Sequence, residues 1–332
     1  MKYFVTGGSG FLGRHLLLRM LADGHSVRAL ARTEESARVV EGLGATAVRA
    51  DLLDIRDHVA EVAGVSVVVH AAADTRMWAR PGELEQVNVD GTKAMLDAAR
   101  EAGVKRFVHV STEAVLASGN PIRYVDESAP YARKPVGEYA RTKAMAEQVV
   151  LAANNRVMRT VVVRPRLLWG PGDTTVMPHV LEAARQGRWA WVAGGDYLTS
   201  TCHVLNACEG ILQASVRGKG GETYFLTDGA PVPFRDFVTR AAAAYGVTLP
   251  DRTVPYAVVR TAAGALDRSW RLLHLKGEPP VSPAVLALGA HEVTVNDGKA
   301  RSELGYSPVV SVDEGLADLA EQVAAGAARH AR

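Results

Sequence analysis

A short β-rich run near the start of the chain leads directly into a glycine-rich loop. Residues 2–6 are predicted to form a strand, and the loop places Gly7, Gly10 and Gly13 three residues apart. Residues 11–23 then have the apolar spacing of a helix. Glycines let a backbone approach a diphosphate closely, and the first amides of a helix attract its charge. This order predicts a phosphate-binding turn, with a glycine turn that binds no ligand as the alternative.

The first half of the chain alternates β-rich runs with helical patterns. This alternation is typical of a parallel sheet covered by helices on both faces. The other elements predicted in this part are strands at 26–31, 45–50, 65–70, 107–110 and 160–164 and long helices at 83–102 and 138–153. Their order predicts an α/β fold with a doubly wound Rossmann-type parallel sheet.

The regular alternation ends after residue 166, where prolines and glycines interrupt the chain. We therefore predict a dinucleotide-binding Rossmann domain over residues 1–166, to which the chain returns at about 196–227. Residues 167–195 and 228–330 are predicted to form a smaller, mostly helical substrate-binding lobe.

The composition excludes several classes of protein. The net charge is +2 and no polybasic stripe is present, so binding to nucleic acid is not expected. Cys202 and Cys208 are too few for a disulfide framework or a metal cluster, and we interpret them as buried thiols of a reducing compartment. The early strand leaves no room for a signal peptide, and no apolar run reaches the length of a bilayer span. A cytoplasmic protein without a transmembrane segment is expected.

The residue that ends the second predicted strand bears on the choice of nucleotide. NAD sites usually place a carboxylate there to bind the ribose hydroxyls, whereas a 2′-phosphate calls for arginine. Arg32 occupies this place, and residues 26–31 contain no carboxylate. The pattern favours NADP(H) over NAD(H), with a solvated surface arginine as the alternative.

Tyr139 and Lys143 lie four residues apart within the helix predicted at 138–153. Side chains at this spacing emerge on one face of a helix. A phenol with a pKa of about 10 is a poor acid or base at neutral pH, but a nearby cation stabilises the phenolate. We therefore expect Lys143 to lower the pKa of Tyr139, which would exchange a proton with a substrate oxygen.

A hydroxyl group that polarises the substrate oxygen is expected after the fifth predicted strand. Ser111 and Thr112 stand there. Thr112 is the preferred candidate for this catalytic role, while a hydrogen bond at the strand end is the alternative function of Ser111.

Together these motifs resemble the extended short-chain dehydrogenase/reductases over nearly the whole chain. The shared features are T-G-x-x-G-x-x-G at 6–13, Y-x-x-x-K at 139–143 and a hydroxyl residue after the fifth strand. The resemblance implies that Asn88 supports the structure, with a proton relay as the alternative. It implies that Asp51 meets the adenine, with a helix N-cap as the alternative. It also implies cofactor contacts from Gly7, Gly10, Phe11, Leu12, Gly13, Arg32, Asp51, Leu52, Ala71, Ala72, Ala73, Tyr139, Lys143 and Pro165.

The segment from Arg164 to Asp173 bears on the substrate. Its R-P-x-x-x-x-G-P-G-D pattern resembles the 3β-hydroxysteroid dehydrogenase and dihydroflavonol reductase branch, and Arg166 with Trp169 resembles the 2-alkyl-3-oxoalkanoate reductases. The resemblance implies that Arg166 and Trp169 contact substrate, with Arg166 pairing with a carboxylate. A salt bridge inside the protein is the alternative for Arg166. Sugar-nucleotide enzymes generally carry an asparagine here, and none stands between Arg164 and Thr175.

These observations predict an NADP(H)-dependent oxidoreductase that interconverts a ketone and a secondary alcohol on a hydrophobic substrate, such as a β-keto acid or a steroid-like compound. A sugar-nucleotide epimerase or dehydratase is the alternative. Related enzymes often dimerise through the two long helices, so a homodimer is an expectation of the resemblance. The apolar stretch at 256–275 is either a lid over the substrate or an ordinary amphipathic helix.

Overall fold

The computed structural model describes residues 1–330, with side chains as far as residue 326. Its strands are β1 (Lys2–Thr6), β2 (Ser26–Ala31), β3 (Thr46–Arg49), β4 (Val67–His70), β5 (Arg106–Val110), β6 (Ile122–Val125), β7 (Arg159–Pro165), β8 (Leu168–Trp169), β9 (Trp191–Val192), β10 (Leu198–Thr199), β11 (Cys202–His203), β12 (Thr223–Leu226), β13 (Val232–Pro233), β14 (Thr253–Val254) and β15 (Val293–Val295). Its α-helices are α1 (Phe11–Ala22), α2 (Glu34–Gly42), α3 (Val59–Val62), α4 (Gly91–Glu101), α5 (Gly137–Ala152), α6 (Met177–Arg185), α7 (Val204–Arg217), α8 (Phe234–Ala244), α9 (Tyr256–Leu272), α10 (Pro283–Gly289) and α11 (Val312–His330).

Seven parallel strands form the central sheet in the spatial order β12-β7-β5-β4-β1-β2-β3. The direction of winding reverses between β1 and β4. Ligands of such sheets bind outside the carboxyl ends of the strands at this switch point. The strand order confirms the predicted α/β fold with a doubly wound Rossmann-type sheet.

Strand β1 shows how both faces of the sheet are buried. Tyr3 and Val5 pack on one face with Leu16 of α1, whereas Phe4 packs on the other face with Met95 of α4. Successive side chains of a strand point to opposite faces, so a strand covered on both sides needs consecutive apolar residues. The apolar run in β1 meets this requirement and fixes the strand that carries the glycine loop.

The helix predicted at 83–102 differs from the observed structure. A π-helical turn over Gln86–Asp90 precedes α4. It carries Asn88, whose side chain accepts the Asp74 N–H at 2.7 Å and donates to the Asp74 carbonyl and the Thr142 hydroxyl, both at 3.0 Å. These bonds tie the segment after β4 to α5, which agrees with the structural role expected for Asn88.

The part of the chain after β7 adds helices and, together with β6, a second, small sheet. Trp169, Trp191 and Phe237 form its core with residues of α6 and α8. The second sheet has the order β13-β10-β15-β6, and the sequence analysis missed it because its strands span only two to four residues. Strand β12 returns to the central sheet beside β7. The division of the chain into two domains stays a prediction.

The stretch predicted as a lid or an amphipathic helix forms α9, in which Ala263 is the buried residue. Ala263 packs against Leu286 and Ala290. Leu272 and Leu273 at the end of the helix are exposed. Among the described residues, no helix combines the length and the apolar character needed to cross a membrane.

Candidate active site

Gly7 and Gly13 give the loop after β1 its tight shape. Gly7 has a φ of +75°, and a Cβ at this position would lie 2.9 Å from the backbone of Ala71. A Cβ on Gly13 would lie 2.0 Å from the carbonyl oxygen of Gly7. Helix α1 can approach the loop this closely because no side chain intervenes, so the chain turns from β1 into α1 at the carboxyl edge of the sheet.

The start of α1 presents backbone N–H groups that have no acceptor within the helix. Gly10 is the N-cap residue and offers no side chain to satisfy them. A Cβ on Gly10 would meet the Gly7 carbonyl oxygen at 3.4 Å, an ordinary contact, so protein packing does not require glycine there. Free N–H groups, a positive helix end and a small cap residue fit the diphosphate of a dinucleotide.

A buried chain of hydrogen bonds runs from β4 to α4 beneath this loop. The Ala72 N–H donates to Thr6 Oγ1 at 3.1 Å, and His70 contacts Thr6 Oγ1 through Nδ1 at 2.8 Å and Thr92 Oγ1 through Nε2 at 3.0 Å. Thr92 gives its own proton to the Asn88 carbonyl, so His70 donates through Nε2 and accepts through Nδ1. Burial lowers the pKa of His70 to about 3, so the ring is neutral. These hydrogen bonds hold the backbone after β4 against the glycine loop. The roles of His70 and Thr92 were not predicted from the sequence.

Arg32 and Asp51 follow β2 and β3 at the same edge of the sheet. Arg32 is exposed and has no hydrogen bond or ion pair with the described part of the chain. Asp51 accepts the Leu53 N–H at 3.0 Å, which makes it a turn residue and not a helix cap. Leu52 is buried against α4, where a Cβ on Gly91 would lie 2.6 Å from its side chain. Arg32 therefore offers an unpaired positive charge at the edge that carries the glycine loop.

Thr112 and Glu113 follow β5 and lie beside Tyr139 of α5. The Thr112 hydroxyl donates to Glu113 Oε2 at 2.8 Å, and its oxygen accepts the Ala114 N–H at 3.2 Å. The Thr112 hydroxyl also lowers the pKa of the Tyr139 phenol. The structure therefore brings two of the predicted catalytic groups together at the carboxyl end of β5.

The pKa of Tyr139 differs from the expectation drawn from the sequence. Burial of the phenol and the negative charge of Glu113 raise this pKa, and the interaction with Thr112 opposes them only in part. The sequence predicts a lowered pKa from Lys143, and this prediction is wrong because the fold buries the phenol and brings the charge of Glu113 to it. Tyr139 consequently keeps its proton at neutral pH, which suits a group that donates a proton to a substrate oxygen.

Lys143 is buried where β5 ends. Its Nζ donates to the carbonyl oxygen of Val110 at 2.7 Å and lies 3.4 Å from Nε2 of His109. An ammonium group has no lone pair, so His109 accepts through Nε2. Burial lowers the pKa of Lys143 to about 8, and the Glu147 carboxylate opposes this effect. The contact of His109 with Lys143 was not predicted from the sequence, because a single histidine within an apolar strand is typical of a core residue.

Ser111 lies in a different environment from Thr112. Its hydroxyl donates to Glu147 Oε2 at 2.6 Å. Glu147 also accepts a hydrogen bond from Tyr131 at 2.8 Å and pairs with Arg164 at 2.5 Å, and this network joins β5, α5 and β7. The Ser111 proton is thus used in the support behind the site, which corresponds to the structural alternative considered for this residue.

Pro165, expected to contact the cofactor, and Arg166 and Trp169, expected to contact substrate, occupy buried positions. Pro165 ends β7 opposite Leu226 of β12. Arg166 forms a salt bridge with Glu113 at 3.1 Å, as in the alternative considered for it. Trp169 is 2% exposed, and its Nε1 donates to Asp228 at 2.7 Å. Trp169 therefore belongs to the core of the C-terminal lobe, where its side chain is closed off from a substrate.

A doubly wound sheet, a glycine loop and a tyrosine and lysine on α5 define an NAD(P)-dependent enzyme of the extended short-chain dehydrogenase/reductase type, which acts on CH–OH and keto groups. The chain belongs to the 3-beta hydroxysteroid dehydrogenase/isomerase family, whose family model matches residues 4–256.

Two relatives agree with this assignment, and a solved structure shares the fold. The chain is 48% identical to a 4-hydroxy-2-methyl-3-oxo-4-farnesyl-3,4-dihydroquinoline-1-oxide ketoreductase of Stigmatella aurantiaca, over 98% of both chains. It is 36% identical to a 2-alkyl-3-oxoalkanoate reductase of Stenotrophomonas maltophilia, over 98% of this chain and all of the relative. The structure of a dTDP-glucose 4,6-dehydratase from Bacillus anthracis, solved with NAD, shares the fold with a TM-score of 0.71 and 20% identity, over 97% of this chain and 96% of that one.

Proposed function

We propose that the protein is an NADP(H)-dependent ketoreductase that interconverts a ketone and a secondary alcohol on a hydrophobic substrate, with Tyr139 as the acid and base. The observation that carries the proposal is that the turn beginning at Thr112, where β5 ends, packs against α5, where Thr112 lowers the pKa of the Tyr139 phenol. Reduction of a carbonyl requires that its oxygen be polarised and protonated, and two hydroxyl groups beside that oxygen can do both.

Each side chain has a distinct part in this proposal. Tyr139, whose raised pKa keeps it protonated, donates its proton to the ketone oxygen. Thr112 polarises that oxygen by turning its hydroxyl proton from Glu113 towards it. Lys143 places a positive charge at the end of β5, which stabilises the phenolate that remains after the proton has left. We favour Thr112 over Ser111 because Ser111 already donates to Glu147.

The nicotinamide cofactor, when bound, supplies the hydride chemistry. The residues at the carboxyl edge of the sheet fit such a group, because the first turn of α1 presents free N–H groups and Arg32 has no partner among the described residues. An unpaired guanidinium suits the 2′-phosphate of NADP(H), since Arg binds phosphate with charge-assisted hydrogen bonds.

Replacing Arg32 with alanine is expected to raise the KM for NADPH by about 10- to 100-fold and to leave the KM for NADH within about twofold. The loss reflects one charge-assisted contact with a phosphate that NADH lacks. Steady-state kinetics with both nucleotides measures the two values. Arg38→Ala, which removes an exposed cation on α2, is the matched control. An equal loss with both nucleotides would show that Arg32 does not select the 2′-phosphate.

The relatives support a hydrophobic keto substrate. One is named for a farnesylated 3-oxo quinoline compound and the other for 2-alkyl-3-oxoalkanoates. Both names describe the reduction of a keto group next to a carbon that bears an alkyl or a farnesyl group. The solved sugar-nucleotide enzymes share the fold at 20% identity or little more, which supports no statement about substrate.

We also propose a homodimer, as the resemblance implies.

An NADPH oxidation screen tests the proposal. The purified protein is offered a hydrophobic β-keto ester, a 2-alkyl-3-oxoalkanoate, a 3-ketosteroid and a sugar nucleotide, with NADPH or NADH. We expect stoichiometric oxidation of NADPH with at least one hydrophobic ketone. Conversion of the sugar nucleotide without net consumption of NADPH would favour the epimerase or dehydratase alternative and overturn the proposal.

A further inference from the structure

Glu113 and Arg166 form a buried ion pair next to the catalytic hydroxyl groups. The side chain of Glu113 is 4% exposed and that of Arg166 is 3% exposed, and Glu113 Oε1 lies 3.1 Å from Arg166 Nη1. Charges this deep in a protein interact strongly, because little water screens them. The pair therefore places two strongly interacting charges next to the catalytic hydroxyl groups.

Hydrogen bonds inside the protein occupy both members of the pair. Thr112 donates to the second carboxylate oxygen of Glu113, at 2.8 Å. Arg166 donates through Nη2 to Thr199 Oγ1 at 3.1 Å and to the carbonyl oxygen of Leu288 at 2.8 Å. The positive charge of Arg166 is thus balanced by the protein itself, and the pair carries no net positive charge that would attract an anionic substrate.

One donor of the pair has no partner. The Nε–H of Arg166 is buried and makes no hydrogen bond within the described residues. A buried N–H without an acceptor destabilises the protein, so a ligand oxygen that accepts from it would bind favourably. Because Glu113 compensates the charge of Arg166, an uncharged oxygen such as that of an ester, a ketone or a hydroxyl suits this donor.

Glu113 also lies close to the place where the substrate oxygen must lie. Glu113 accepts a hydrogen bond from Thr112, and its charge raises the pKa of Tyr139. Thr112 and Tyr139 carry the two hydroxyl groups that we assign to the substrate oxygen. A substrate carboxylate near the ketone would meet this negative charge in a site with little water. It could pair with Nη1 of Arg166 only by displacing Glu113, which would leave a buried carboxylate without its partner.

We propose that Glu113 determines specificity by neutralising Arg166, so that the enzyme accepts uncharged ketones and rejects those that carry a carboxylate beside the keto group. This inference rests on the proposed function and names the substrate class within it. The relatives are named for two kinds of keto compound, a farnesylated quinoline and a 2-alkyl-3-oxoalkanoate. The inference favours a compound of the first kind, because the second carries a carboxylate.

A matched pair of alcohols tests the inference in the direction of oxidation, where both compounds are chemically stable. The wild-type protein is assayed with NADP⁺ and either a 2-alkyl-3-hydroxyalkanoate or its methyl ester, which differ in one charge. We expect kcat/KM to be about 100-fold higher for the ester, the order expected for an uncompensated buried charge. Equal values, or a higher value for the acid, overturn the inference and leave the proposed function intact. Oxidation of neither alcohol overturns the inference, while the NADPH oxidation screen tests the proposed function separately.

Substitution of Glu113 identifies the cause of the preference. In Glu113→Gln the repulsive charge is absent and Arg166 is uncompensated, so the ester-to-acid preference should fall at least about tenfold. Glu222→Gln removes a carboxylate that pairs with Lys299 elsewhere on the protein and should leave the preference unchanged. Because loss of one partner can unfold a protein, the double variant Glu113→Gln/Arg166→Met is assayed as well, and its preference should also fall. An unchanged preference in either variant, shown to be folded by circular dichroism, overturns the inference.

Discussion

The Tyr139→Phe variant is expected to turn over about 1,000-fold more slowly than the wild-type protein and to bind NADPH with an affinity within about twofold. The substitution removes one oxygen and keeps the ring, so the packing of α5 is retained. What disappears is the proton that burial and Glu113 hold on the phenol at neutral pH. The effect should therefore fall on kcat and leave cofactor binding nearly unchanged.

Single-turnover kinetics and a fluorescence titration with NADPH measure these two quantities separately. Tyr245→Phe is the matched control, because Tyr245 packs in the core of the C-terminal lobe, away from β5. We expect wild-type turnover in that variant. If Tyr139→Phe kept more than about a tenth of the wild-type turnover, another group would have to supply the proton.

The fold could be predicted in large part from local patterns. Glycine spacing after a β-rich run identified the turn between β1 and α1, because few other residues allow a helix to approach a loop as closely as Gly13 does. Continuous apolar runs identified the central strands, since those strands are buried on both faces. The helix of Tyr139 and Lys143 was also identified, with bounds within one residue of α5.

The charged environment of the site was not predicted, because it depends on residues that are distant in the chain. Glu113 and Arg166 meet because β5 and β7 are neighbours in the sheet, with Val110 opposite Val163. Each of the two residues stands three positions beyond that pair. The strand order and this register would have been sufficient to find the ion pair, but local sequence carries neither. The same limit explains why Tyr139 was given the wrong direction of pKa shift.

Replacing Lys143 with methionine is expected to lower kcat by about 100- to 1,000-fold at pH 7, because the variant has no positive charge to stabilise the phenolate of Tyr139. In the wild-type protein the rate of ketone reduction should fall as the pH rises through about 8, where Lys143 loses its proton. A pH profile of kcat measures both effects. Lys105→Met, which removes an exposed lysine just before β5, should change neither the rate nor the profile. A wild-type rate that stays constant from pH 7 to pH 10 would contradict the role given to this lysine.

The same substitution should make the protein more stable at pH 7. Burial lowers the pKa of Lys143 from 10.5 to about 8, so the folded state binds this proton less tightly than the unfolded chain does. Below pH 8 the lysine is charged in both states, and its burial costs roughly 3 kcal/mol, offset by about 1 kcal/mol from its bond to Val110. Between pH 8 and 10.5 the folded protein releases the proton first and this penalty fades, so the wild-type free energy of unfolding rises relative to that of Lys143→Met. Urea unfolding at pH 7 and pH 9.5 measures the difference. A variant that is more stable at pH 7 but loses its turnover would show that Lys143 serves catalysis and destabilises the folded protein. A loss of stability at both pH values would instead show that Lys143 is a structural residue.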